Sequence, residues 1–143
     1  MTSDRLARDY LRRVRARRLA LDTLLGAAAH ADVVRESQEV VELILKGALR
    51  SVGVDPPKRH DVRATLVRFL ARLPLDWQAA MTDIEQASSE LARDRAHAFY
   101  ADEEQLIPAS DLFAEADARR ALTVVDRLLG LYERLVGERP GAG

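Results

Sequence analysis

The sequence contains no cysteine. That excludes a disulfide framework, a thiolate-held zinc ion and a thiol nucleophile. Aromatic residues are only 5% of the chain, so a core must be built from Leu, Val, Ala and Ile. Seven glycines and five prolines in 143 residues are too few for the many tight turns of a β-sandwich or barrel. Lysine occurs only as Lys46 and Lys58, which makes arginine the general cation of the chain. No apolar run approaches the ~18–20 residues of a membrane span. The opening MTSDRLARDY lacks the apolar stretch of a secretory leader, so a cytoplasmic location is expected. His30, His60 and His97 are far apart, and none has a second His or a Cys beside it. Neither a metal site nor a cofactor is expected on that basis. A glycine-rich phosphate loop and a Ser-His-Asp context are also missing.

What is present is aliphatic and helical. Hydrophobic residues make up 48% and charged residues 31%, enough for one soluble domain, expected over residues 1–137 with a frayed tail at 138–143. Apolar residues recur at helical spacing and no segment alternates with period two. The pattern predicts an all-α, up-and-down bundle of about five helices. The first runs from about Asp4 to Ala29, with Leu6, Tyr10, Val14, Leu21, Leu24 and Ala28 on one face. His30-Ala31-Asp32 is expected to connect it to a second helix, Val33 to Val52, with Asp32 as cap. That second helix is apolar over most of its circumference, which marks a central element or one in a subunit interface. Gly53 is its expected terminator, and Pro56-Pro57 forbids continuation. A short third helix is expected from Asp61 to Leu73. A fourth runs from Trp77, behind an Asp76 cap, to Tyr100. An acidic loop follows at 101–105. The last helix begins near Ser110 or Phe113 and ends at Val136.

Net charge is −1, but residues 1–18 hold seven arginines against Asp4 and Asp9. This leaves a local charge of +5 and −6 for the other 125 residues. A basic stripe on an acidic body suits contact with RNA or phosphate. A solvated helix in an arginine-using chain looks the same, so both readings stay open. Arg12 and Arg13 are the candidate contacts.

Three segments together resemble the HEPN (higher eukaryotes and prokaryotes nucleotide-binding) domain family. The first is the second-helix run from Ser37 to Leu49, with Glu42 and Lys46 four apart among aliphatics. The second is the loop from Gly53 to Val62, with Pro56-Pro57-Lys58 and His60-Asp61. The third runs from Leu91 to Glu103 and contains Arg93, His97 and Tyr100. The resemblance spans about residues 5–136. It implies a helical bundle, usually a homodimer, found beside minimal nucleotidyltransferases in toxin–antitoxin pairs. Some members are metal-independent endoribonucleases, while others bind nucleotides or partners without catalysis.

Arg93 and His97 lie one helical turn apart. A neutral His can move a proton at a 2′-OH or a leaving oxygen, and an Arg can hold the phosphate. Asp94 is placed to orient the ring and Tyr100 to touch a base. Catalytic members resemble an arginine, four to six residues, then a histidine. Here only three intervene, and one residue rotates the pair by roughly 100°. The blander reading pairs Arg93 with Glu90 or Asp94 and leaves His97 at the surface, and it is preferred. Glu42 and Lys46 either position a nucleotide or a partner, or form an intrahelical ion pair worth ~0.3–0.5 kcal/mol. His60 is read first as a helix-start residue and second as a site residue.

The leading expectation is therefore a module that binds nucleotide or RNA and pairs with a minimal nucleotidyltransferase. The alternatives are an endoribonuclease toxin using Arg93 and His97, and a purely structural dimer. The homodimer is expected because so apolar a second helix is hard to cover within 143 residues.

Overall fold

The computed structural model describes residues 2–58, 62–100 and 106–137, with side chains described for 4–58, 62–86, 90 and 106–137. Its elements are α1 (Thr2–Gly26), α2 (His30–Ser51), α3 (Arg63–Arg68), a 3₁₀ turn (Leu70–Arg72), α4 (Leu75–Tyr100), α5 (Ala109–Leu112) and α6 (Glu115–Tyr132). The chain then widens into a π turn, Glu133–Gly137. No strand occurs among the described residues. The all-α bundle is as expected. Of the two starts expected for the last helix, the later is nearer: the chain is extended at Phe113 and Ala114, so a single-turn α5 that holds Ser110 is separate from α6. The Asp117 carboxylate accepts the Ala114 N–H at 2.8 Å and starts α6.

The first connection falls three residues earlier than expected, so Asp32 lies in the first turn of α2 and does not cap it. His30 is already helical, and the turn is Ala27-Ala28-Ala29. The Ala29 N–H reaches the Leu24 carbonyl at 3.0 Å and the Ala28 N–H reaches Leu25 at 2.9 Å. This is the paired closure of a Schellman motif, which puts Ala28 in the left-handed region at φ 57°. The same closure ends α2, with Val54 N–H on the Leu49 carbonyl and Gly53 N–H on Arg50. There the left-handed residue is Gly53, φ 81°, as the sequence predicts. Helix α4 begins at Leu75 rather than Trp77, because the Pro74 carbonyl already accepts the N–H groups of Trp77 and Gln78. Asp76 sits in the first turn, where its carboxylate accepts the Trp77 N–H.

Helix α2 is the centre of the bundle. It packs against α1, α4 and α6, so its broad apolar surface is covered within one chain. Val33, Val40, Val41, Ile44, Ala48 and Leu49 are fully buried. Of the two placements its circumference allowed, central element or subunit interface, the central one accounts for these residues. A dimer is not needed to explain this helix. Trp77 is fully buried and donates its indole N–H to the Leu131 carbonyl at 3.3 Å.

On α1 the buried stripe is Ala7, Leu11, Val14 and Leu21, with Leu6, Tyr10 and Leu24 only half-buried beside it. The predicted face is thus rotated toward its neighbour. Arg18 falls in line between Val14 and Leu21, where an aliphatic residue would be expected. Its guanidinium meets Asp126 of α6 and Asp22 of α1, each at 2.6 Å. The Asp126 bond, reinforced by Asp22, holds its pKa above the ordinary arginine value.

Tyr132 wedges the outer helices together. Its ring is fully buried, and its hydroxyl donates to the Ala7 carbonyl. The ring lies against Gly47 so closely that a Cβ there would overlap it. Burial, with a smaller contribution from Tyr10, pushes the phenol pKa up.

Candidate functional site

Helices α1 and α2 run side by side, and a cleft opens between their exposed edges. Spacings of three and four residues put Tyr10, Arg13 and Arg17 on one edge of α1. Glu39, Glu42 and Lys46 share an edge of α2 for the same reason. Together with Leu43 they line a polar cleft of about 260 Å³. Three cations face two carboxylates in it. Lys46 Nζ stands 4.0 Å from Glu42 Oε2, at the limit of an ion pair. Both side chains are largely buried, at 22% and 11% exposure, so this pair is more enclosed than an ordinary surface pair.

The Arg13 guanidinium lies 5.5 Å from the Tyr10 ring centre, and Arg50 lies 5.9 Å from it. A ring that attracts two guanidiniums restricts their rotamers and orders their donors before any ligand arrives. Arg50 is also held by Asp55 at 3.5 Å. Arg13 and Arg17 meet no carboxylate within ion-pair distance among the described residues.

Arg17 also lines a second, larger cleft of about 470 Å³ farther along the same seam. Its walls include Ala20, Leu21 and Leu24 of α1, and Asp32, Arg35 and Glu36 of α2. The seam therefore offers an apolar compartment and a cationic one, joined at Arg17. An anion carrying a flat apolar group fits that division chemically.

The structure separates the candidates read from sequence. Arg13, Glu42 and Lys46 come together in the polar cleft. Arg12 does not line it; it turns to Asp9 at 3.1 Å and is 72% exposed. Arg93 and His97 lie in α4, four positions apart on continuous helical backbone. Their side chains, and those of Asp94 and Tyr100, lie outside the described residues, as does His60. Sequence reasoning missed Tyr10, Arg17 and Glu39. The signal was available, since each stands three or four residues from a residue already chosen.

Among the described residues no three His, Asp or Glu gather as a metal cluster. No described helix is long and apolar enough to cross a membrane.

The fold and the sequence meet in one comparison. The family model of the HEPN domain matches residues 7–135, which is most of the chain. This protein belongs to the HEPN domain family. No curated protein and no solved structure matches the chain.

Proposed function

We propose that this HEPN protein is a binding module that takes a nucleotide, or RNA by its phosphates, in the seam between α1 and α2. The observation that carries this reading is the pair Arg13 and Arg17. Both line the cleft with Lys46 and, among the described residues, have no carboxylate within ion-pair distance, while the apolar cleft opens next to Arg17. Guanidiniums suit phosphate oxygens, which they bind through forked donors, and Tyr10 holds that of Arg13 in place. The neighbouring apolar walls suit a base. Glu39 and Glu42 keep the cleft from being a general anion trap, since a ligand must avoid their carboxylates.

In this reading the protein works as a homodimer beside a minimal nucleotidyltransferase, in keeping with its family. Calorimetric titration with ATP tests the site. Wild type should bind, and the Arg13→Gln/Arg17→Gln variant should lose at least tenfold in affinity at unchanged melting temperature. Equal binding by both proteins removes the proposal. Light scattering at micromolar concentration tests the dimer, and a monomer mass contradicts it.

The second reading is a metal-independent endoribonuclease using Arg93 and His97. It rests on the acid–base and phosphate-holding chemistry of the two side-chain types on one continuous helix, at a spacing shorter than that of catalytic members. Cleavage of an RNA pool should then persist in EDTA and fall roughly 10²- to 10⁴-fold in His97→Ala, the range of general acid–base help. Equal cleavage by both proteins, or none by either, leaves the binding module alone.

A further inference from the structure

The stretch from Lys58 to Arg72 carries five cations, Lys58, Arg59, Arg63, Arg68 and Arg72, against the single carboxylate of Asp61. It is a second basic region, remote in sequence from the arginines of α1. Within it α3 is short and gives way to the 3₁₀ turn after Phe69. The Phe69 ring is half-buried and packs on the core, which fixes it in place. Arg68 lies 5.3 Å from the ring centre and Arg72 lies 5.0 Å from it. Both arginines are exposed.

Their surroundings differ from those of the arginines in α6 and the π turn. Arg119, Arg120, Arg127 and Arg134 each meet a carboxylate. Arg68 and Arg72 meet none among the described residues. Their only close partner there is the ring between them in sequence. Val67, beside them, is 42% exposed. The arrangement is a cationic platform of two exposed guanidiniums gathered on a ring that the core holds.

We propose that this Arg68–Phe69–Arg72 platform binds an unpaired nucleic-acid strand, with phosphates on the two guanidiniums and bases stacked on the platform. Three features favour a strand over other anions. An aromatic ring and guanidinium planes are the surfaces on which unstacked bases lie. Cation–π contact orders both arginines before binding, so little rotamer freedom is lost when phosphates arrive. A duplex keeps its bases stacked inside and gains nothing from the ring. An acidic peptide would use the two charges but not the platform. The site does not rest on the α1–α2 seam, which shares none of these residues.

Fluorescence anisotropy with labelled 12-mers of oligo(A), as RNA and as DNA, tests this on the full chain. Wild type should bind, with affinity that falls as salt rises. Arg68→Gln/Arg72→Gln should weaken binding tenfold or more. It should also flatten the slope of log affinity against log salt by about 1.4, or ~0.7 for each phosphate no longer neutralised. Phe69→Leu keeps an apolar group on the core and should weaken binding at least fivefold with little change in that slope, because stacking is not ionic. If the RNA and DNA strands bind alike, the platform reads phosphate and base stacking, as proposed; a preference for RNA adds a 2′-hydroxyl contact to the same site. Polyglutamate at equal charge should compete poorly. Unchanged binding in the double arginine variant or in Phe69→Leu overturns the proposal. So does displacement of the strand by polyglutamate, or failure of wild type to bind either 12-mer. ATP titration of the seam gives its own answer, so failure at one site is distinguishable from failure at the other.

Discussion

Helix α1 is lined with arginine on both flanks, and the flanks have opposite uses. Toward α6, Arg15 meets Glu133 at 3.4 Å and Arg18 meets Asp126 at 2.6 Å. Tyr132 closes the same side on the Ala7 carbonyl. Toward α2, Arg13 and Arg17 face a cleft and meet no carboxylate within ion-pair distance among the described residues. One residue type serves cohesion on one side and lines an open cleft on the other. What separates them is the neighbour across the gap. The α6 side answers each arginine with a carboxylate, whereas on α2 Glu42 is turned toward Lys46. A count of arginines cannot show this, because roughly a quarter-turn of helix, about one residue, decides it.

The sharpest way to break the cohesive flank is at Gly47. A methyl group there overlaps the Tyr132 ring, whose hydroxyl is the nearest atom. Gly47→Ala should therefore cost about 2–3 kcal/mol by overpacking, despite the better helix propensity of alanine. Urea unfolding measures it. Adding Tyr132→Phe removes the nearest clashing atom and should recover part of the loss. Additive costs in the double variant would show that the two residues do not meet in solution.

Tyr132 also makes the cohesive flank sensitive to alkali. Its folded-state pKa is raised by burial above the ordinary value near 10. The unfolded chain then ionises first as pH rises. Stability from this group is complete below about pH 10 and declines as pH climbs toward the folded-state pKa. Tyr132→Phe should lose about 1 kcal/mol at pH 7, where the Ala7 carbonyl is left without its donor. Above pH 10 the variant should lose stability less steeply than wild type. Parallel curves in thermal melts from pH 8 to 11 would remove Tyr132 as the cause.

Much of this architecture was legible in the sequence. Periodicity placed α2 and α4, and Gly53 marked the end of α2 because only glycine enters the left-handed region without strain. The turn after α1 was not legible, since Ala28 occupies that region without the usual residue. The break before α6 was hidden for a similar reason: Phe113 and Ala114 carry no turn signal. The site was half legible. Arg13, Glu42 and Lys46 were visible as charged residues at helical spacing, but only the packing of α1 on α2 joins them. The basic stretch at 58–72 was countable, yet the ring that orders Arg68 and Arg72 depends on a local turn geometry that periodicity does not encode.

Exchanging single charges on the two flanks gives a direct contrast. Arg18→Gln removes two ion pairs from a side chain that is 21% exposed, while both aspartates remain more open to water. Solvent screening limits the cost to about 1 kcal/mol. Arg17→Gln removes no ion pair found among the described residues and should leave the melting temperature unchanged while weakening ATP binding. Equal melting temperatures for the two variants would mean that the flanks do not differ as described.

The smallest expected effect is a gain, and it concerns the turn that sets both helices in register. Ala28 sits at φ 57°, where an L-residue with a Cβ is strained by ~1–2 kcal/mol relative to glycine. Glycine would relieve that strain but give the unfolded chain more freedom, which takes back ~0.4–1 kcal/mol. Ala28 is exposed and its side chain is not part of the core, so no packing is lost. Ala28→Gly should therefore stabilise the protein by about 0.5 kcal/mol. The same change at Ala27, on the right-handed side of the turn, should destabilise it instead. The pair of variants measures the backbone and not the side chain, since both remove one methyl group from exposed positions. A loss of stability in Ala28→Gly would show that α1 does not end in a Schellman turn. The edges of α1 and α2 would then be differently registered, and the cleft that gathers Arg13, Arg17 and Lys46 would have to be redrawn.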